Sequence, residues 1–299
     1  MTVTTLAATP TSIAGLCAAT RRLLSQNLND ELAFLSEPYE PGDTSIALRA
    51  KTKRLGPGSV LSWGDNTFYV VGVSTSSAAV EVVNGYDGAP SAAAAAGSPL
   101  RVNPRFSDYT IFENVASVIA SLSSPANGLY GVYQQEVNGT VIDGYYPVPD
   151  EIFDYVIKVL RVESRTNSSQ DWIREVNYTA VLGGPDKAVR IFSEALQYRI
   201  TYALKFLRPQ TFSDDAIIDC GLQPSMIDIP PLGAAAVMMQ GQEARRAHQR
   251  AQGDPRRAED VPITAATASA RELQRMFRNR IDEEHAALIA VNPYAGRAM

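Results

Sequence analysis

At Ser107 the hydrophobic period of this chain changes from two to 3.6, and that change limits what the whole chain can fold into. From the helix cap Ser107-Asp108, the apolar residues Ile111, Phe112, Val115, Val118, Ile119 and Leu122 recur on one broad stripe. Glu113, Asn114 and Ser117 lie opposite, and Ser123-Ser124-Pro125 ends the pattern. A helix with one apolar face has to pack against something on one side only. On either side of it the runs are short, rich in β-branched and aromatic residues, and separated by turns.

Before the helix, Thr44 to Ala50, Ser59 to Ser62, Phe68 to Val73 and Ala79 to Val83 read as strands, with 68–71 and 80–83 forming a hairpin. Ala92 to Ala96 reads equally as an exposed loop or a helical turn. After the helix come six β-type runs: Tyr130 to Val137, Val141 to Tyr146, Ile152 to Val162, Asp171 to Val176, Val189 to Phe192 and Tyr198 to Phe206. Asn138-Gly139, Asn167-Ser168 and Gly183-Gly184-Pro185 punctuate them, as a β-sandwich requires. Lys187 to Leu196 also fits a short helix crossing that sandwich.

The two ends are helical in pattern. Leu16, Leu23, Leu24, Leu28 and Leu35 recur at helical intervals through Ser12 to Leu35, which predicts one or two helices. Leu232 to Gln252 and Ala266 to Val291 predict two more, split by Gly253-Asp254-Pro255 and followed by a poorly ordered tail. The fold class is therefore α+β: a helical bundle-like scaffold carrying a small antiparallel β module and an inserted β-sandwich. The segments are a helical piece over 1–36, the β module over 37–106, the connecting helix over 107–125, the sandwich over 126–226, and C-terminal helices with a tail over 227–299.

Composition narrows the chemistry. Lys+Arg 27 against Asp+Glu 32 gives a net charge of -5, which argues against a nucleic-acid binder basic over its whole surface. The only histidines, His248 and His285, leave almost no material for a histidine triad or a zinc site. Cys17 and Cys220 match no ligand or redox spacing and read as buried thiols. Asp143, Asp150, Glu151 and Asp154 suit turns as well as a paired-carboxylate site. The expectation is no catalysis, no cofactor, no metal and no membrane span. The N-terminus has no basic and apolar leader, so synthesis and assembly in the cytoplasm are expected.

Two surfaces stand out. In the last helix Leu273, Phe277, Ile281 and Leu288 form one stripe, either core or anchors for a neighbouring protein. Arg271, Arg275 and Arg278 lie on another face, and nine arginines outnumber five acids between Gln242 and Arg280. That excess fits a solvated helix face, docking to an acidic protein, or contact with DNA without sequence readout. On the sandwich, Trp172 with Tyr130, Tyr133, Tyr145 and Tyr146 would form a sugar-binding platform if they shared a face.

One run carries a family resemblance: Gly58-Ser-Val-Leu-Ser-Trp63, Thr67-Phe-Tyr-Val-Val-Gly72-Val, Val80-Glu-Val-Val, Asn84-Gly85-Tyr-Asp-Gly88, a small-residue stretch to Gly97, and Leu100-Arg-Val-Asn-Pro-Arg-Phe106 leading into the Ser107 helix. It resembles the head-to-tail connector (adaptor) proteins in the neck of long-tailed actinobacteriophages. It departs from that pattern at Asn84, where an arginine would stand, and at Ala89 in place of threonine. Asp171-Trp172 and Phe192 in the sandwich, and Ala-Glu-Asp-Val-Pro262 between the last helices, extend the likeness. The resemblance implies a structural virion protein of the neck: a ring of about twelve copies by analogy with the portal. Its partners would be the portal protein, neighbouring copies of itself, the next neck protein (the stopper), and DNA passing through the channel. The alternatives are a carbohydrate-binding virion module or another neck ring such as the stopper itself.

Overall fold

The computed structural model describes residues 10–25, 30–50, 54–74, 78–139, 144–168, 170–175, 177–251 and 263–292, with the backbone alone at 25, 242–251 and 263–266. Helices and antiparallel sheets occur in equal shares, an α+β fold. The chain divides into two compact units built from interleaved segments. The first holds Met1–Ser117, Gln210–Asp215 and Pro230–Gln274; the second holds Val118–Pro209, Ala216–Ile229 and Arg275–Met299.

The first unit begins with α1 (Ile13–Ser25), whose N-terminus is closed by Ser12 Oγ accepting the Gly15 N–H at 3.1 Å. The Ile13 and Ala14 N–H groups donate to the carbonyls of Asp214 and Phe212, so the 210–215 segment satisfies this helix end as well. Asp214 is itself fixed: burial pushes its carboxyl up, but the Thr211 hydroxyl and the Gln210 and Thr211 N–H groups outweigh this and hold it below the usual value.

Six strands follow: β1 (Glu31–Phe34), β2 (Ser45–Ala47), β3 (Val60–Trp63), β4 (Asn66–Val73), β5 (Ala79–Asn84) and β6 (Pro99–Val102), in the sheet order β1-β6-β3-β4-β5-β2. The two ends of that order meet. Leu35 bridges Leu48, the Ser36 N–H donates to the Ala47 carbonyl, and the Arg49 N–H donates to the Phe34 carbonyl. These contacts close the β module into a small barrel. Leu35, Leu48, Leu61, Phe68, Val70, Val82, Leu100 and Val102 fill it, and Tyr39 meets Phe68 edge-on at 5.0 Å. The predicted hairpin is β4 with β5, bulged at Val71. Ala92 to Ala96 is a loop whose Ala94 bridges Tyr39.

The structure corrects the N-terminal reading. The helix stops at Ser25, and residues 31–34 form β1, because pairing with β6 buries Ala33 and the closure buries Leu35 while Leu32 and Phe34 face outward. The boundary expected at residue 36 cuts through the barrel. The connecting helix α2 (Asp108–Leu122) is as predicted, with Ser107 Oγ accepting the Thr110 N–H at 3.0 Å. Within the first unit its Phe112 stacks on Phe212 at 4.8 Å. The helix α3 (Ile229–Ala251) buries Ala234, Ala235, Ala236 and Met238.

The second unit is the sandwich. One sheet holds β7 (Gly131–Asn138), β9 (Val156–Arg165), β10 (Ile173–Arg174) and β13 (Gln197–Leu204), in the order β10-β9-β13-β7. The other holds β8 (Gly144–Pro147), β11 (Tyr178–Val181) and β12 (Ala188–Ile191), in the order β11-β12-β8. Val162, Tyr198, Ile200 and Tyr202 from the first sheet pack against Tyr146, Val189 and Ile191 from the second. The segment from Lys187 is strand β12 rather than a helix, Ile152 ends a short helical turn before β9, and β11 has no counterpart in the sequence reading. The helix α4 (Ile263–Val291) closes the chain, and its residues from Arg275 belong to this unit. The loop Gly253-Asp254-Pro255, Ala258 to Pro262, Lys51, Lys53, Asp143 and the tail from Pro293 lie outside the described residues. Among the described residues, no helix is long and apolar enough to cross a membrane.

Candidate interaction surfaces

On α4 the 3-4 spacing that made the apolar stripe resolves into a graded face. Ile281 and Leu288 are buried, with Ala270, Glu284 and Asn292 in line with them, while Leu273 and Phe277 are half-buried. Ile281 and Leu288 are therefore core of the chain itself and present no surface to a partner. The apolar side chains that α4 does expose are Met276, Ile289 and Val291. Arg271, Arg275 and Arg278 are exposed, as their spacing implied.

Arg280 does not belong with them. Its guanidinium pairs with Asp228 at 2.7 Å, with Glu283, and with Glu284 at 3.0 Å, and it donates to the Ser225 carbonyl. Glu284 in turn accepts the Ser225 hydroxyl. This knot ties α4 to the turn before α3 within the second unit, and Asp282, Glu283 and Glu284 follow directly, so the basic excess fades at that point. Arg245, Arg246, Arg250, Arg256 and Arg257 have no described side chains.

The sandwich aromatics do not assemble into a platform. Tyr130 and Tyr146 are buried, Tyr146 against Tyr198 in the core, and the Tyr133 hydroxyl donates to Glu151. Tyr145 is exposed on the other sheet. Trp172 is covered by the guanidiniums of Arg165 and Arg199, 4.5 and 4.2 Å from its ring centre. Asp150 and Glu151 sit in the turn before β9, and among the described residues no group of His, Cys, Asp and Glu is arranged to hold a metal. Cys17 and Cys220 are buried and not joined in a disulfide, and burial pushes the Cys17 thiol up, away from the reactive thiolate.

The structure adds surfaces that the sequence reading missed. In the first unit a groove of about 650 Å³ opens between Val60, the Tyr86 turn, Phe106, Thr110 of α2, and Val237 and Met238 of α3. A separate groove that also reaches Phe106 is lined by Arg21 and Asp30 of an ion cluster: Arg21 pairs with Asp30 at 3.2 Å and with Asp108, and Arg101 pairs with the same acids at 3.4 and 3.5 Å. Arg21 also donates to the Phe106 carbonyl, and the Asp108 N–H donates to Ser62 Oγ at 2.7 Å. Two arginines and two aspartates cancel locally, and their geometry fixes how the Pro104–Phe106 link leaves the barrel for α2.

Continuous with the larger of these grooves through Tyr86 and Asp87, the outer wall of β4 and β5 exposes Tyr69, Val71 and Val83, and Tyr69 stacks on Tyr86 at 5.6 Å. The turn that presents Tyr86 needs left-handed backbone at Gly85, Asp87 and Gly88. Asn84, where the resemblance breaks, anchors it. Its Oδ1 accepts the Gly85 N–H at 2.7 Å, and its Nδ2 lies within hydrogen-bond distance of Asn66, Ser91 and Tyr39. A second exposed pair, Leu32 and Phe34, lies on β1. The signal for the first patch was present in the run Thr67-Phe-Tyr-Val-Val: an antiparallel strand that is apolar at consecutive positions has no solvated face.

In the second unit a groove of about 380 Å³ is lined by Leu129, Tyr130, Ile157, His285 and Ile289, and the buried Tyr130 hydroxyl has no hydrogen-bond partner. It is the one place where the exposed side of α4 borders a concave apolar surface among those described.

No protein-family model matches the sequence, and no curated protein matches it. A solved structure described as the "Neck of empty GTA particle computed with C6 symmetry" is similar over 44% of this chain and 66% of its own chain, at 12% identity and a TM-score of 0.22. The chain thus spans just under two thirds of that neck chain, and an overlap at this score carries no argument about fold or role.

Proposed function

We propose that this chain is a structural subunit of a virion neck, an adaptor that forms a ring between the capsid portal and the next neck component and surrounds the DNA path. The observation that carries the reading is the groove beside the barrel. The residues that bear the adaptor resemblance, from Val60 through the Tyr86 turn to Phe106, fold together to build one side of it. They continue it into an exposed apolar wall on the first unit. An isolated subunit has no use for such a wall, and an assembled one covers it. The work is mechanical: many modest contacts repeated around a ring hold the particle closed, with no reacting group involved.

Contact with the portal falls to the exposed side of α4, through Ile289 and the groove beside it, with Arg271, Arg275 and Arg278 meeting an acidic portal surface or the DNA. The sugar-binding alternative lacks its platform, since Trp172 lies under two arginines and Tyr130 and Tyr146 are buried. Sedimentation velocity of the chain mixed with the portal protein of the same virion tests the reading. Adaptor function predicts that the slow boundary of the free chain moves into the portal boundary. A boundary that stays slow at saturating portal would overturn it.

A further inference from the structure

Because the sheet order β1-β6-β3-β4-β5-β2 closes on itself, β1 and β4 are three strands apart in either direction and stand on opposite walls of the barrel. Each wall exposes an apolar patch. On the β4–β5 wall, Tyr69, Val71, Val83 and Tyr86 are 38%, 47%, 57% and 44% exposed, and the exposed acids beside them are Glu81 and Asp87. On the β1 wall, Leu32 and Phe34 are 42% and 40% exposed. There Arg49 stands across from Phe34 in the closing ladder and is exposed. The first patch has two acids beside it and the second an arginine.

The geometry points to a head-to-tail contact between two copies of this chain, in which the β4–β5 wall of one barrel covers the β1 wall of the next, with Glu81 and Asp87 facing Arg49. This rests on the ring reading proposed above and names the surface that makes the ring. A second copy is the occupant for two reasons. Each patch consists of exposed side chains on a strand face, so the contact is made by side chains. The two patches are complementary in charge and sit on opposite sides of one body, the arrangement that a heterologous, ring-closing contact needs and a two-fold contact does not.

Charge reversal tests the pairing, with assembly on the portal as the readout and near-UV circular dichroism as the check on folding. Arg49→Glu and Glu81→Arg should each raise the concentration needed for half-assembly by about tenfold. The chain carrying both should return to within about threefold of the unmodified chain, because every interface then regains one opposite pair. As a second measurement that does not depend on charge, Phe34→Cys combined with Val83→Cys should give a disulfide-linked ladder of multimers on oxidation, against a background in which both native cysteines are buried. Rings from the unmodified chain that persist undiminished in both single variants, with no ladder, would overturn the pairing and leave the neck reading standing. No ring from the unmodified chain on its portal would overturn the neck reading and the pairing together.

Discussion

On the four-stranded sheet of the sandwich, outward Arg199 stands between Glu136 on one neighbouring strand and Glu163 on the other; on the barrel, outward Tyr69 stands opposite Val83. Both walls follow the alternation of an antiparallel sheet. On the sandwich wall charged and polar side chains pair, Arg199 with Glu136 at 2.9 Å, Arg161 with Glu163 at 3.3 Å and Arg165 with Gln197 at 2.7 Å, beside exposed Val132, Ile157 and Ile173. The barrel wall offers Tyr69, Val83 and Tyr86 only each other, and water otherwise. Cross-strand charge pairs make a finished surface, whereas aromatic and β-branched side chains at the same positions make one that a neighbour has to cover. On the reading proposed above, the sandwich serves stability and spacing, and the barrel carries assembly.

Four substitutions would break or sharpen that contrast. Phe68→Ala empties the barrel interior beside Tyr39 and should cost about 3–5 kcal/mol in chemical denaturation, taking assembly with it; a loss under about 1 kcal/mol would mean that the barrel is not the packed body described. Arg280→Ala should cost about 1–2 kcal/mol, a figure discounted for the part of the guanidinium that water reaches, because it leaves buried Glu284 without its cation. An unchanged unfolding midpoint would return Arg280 to the solvated basic face. The smallest effects separate the two walls most cleanly. Arg199→Ala should cost no more than about 0.5–1 kcal/mol and leave assembly intact, while Val83→Ser should change stability by less than about 0.5 kcal/mol and still weaken assembly. The opposite pattern would assign assembly to the sandwich.

The strongest periodic signals were legible in the sequence: α2 with its Ser107 cap, the β4–β5 hairpin, most sandwich strands and the two long C-terminal helices. What escaped depended on partners far along the chain. Glu31–Phe34 continues a leucine count that suits a helix, and only pairing with β6, about seventy residues on, makes it a strand. Barrel closure rests on the bridge between Leu35 and Leu48 and the two backbone hydrogen bonds beside it, which leave no periodic trace. Arg21 and Asp108 meet across a gap that no local pattern announces. The candidate site was legible in the same uneven way. Helical spacing placed Ile281 and Leu288 on one stripe, but spacing is blind to whether a stripe faces the chain's own core or a partner, and here it faces the core.

The central claim is that this subunit closes into a ring through its barrel walls. Electron-microscope class averages of the chain bound to the portal test it most directly. The account predicts a ring stacked coaxially on the portal, with each barrel touching its two neighbours through opposite walls. Single subunits attached to the portal without contact between their barrels would contradict it.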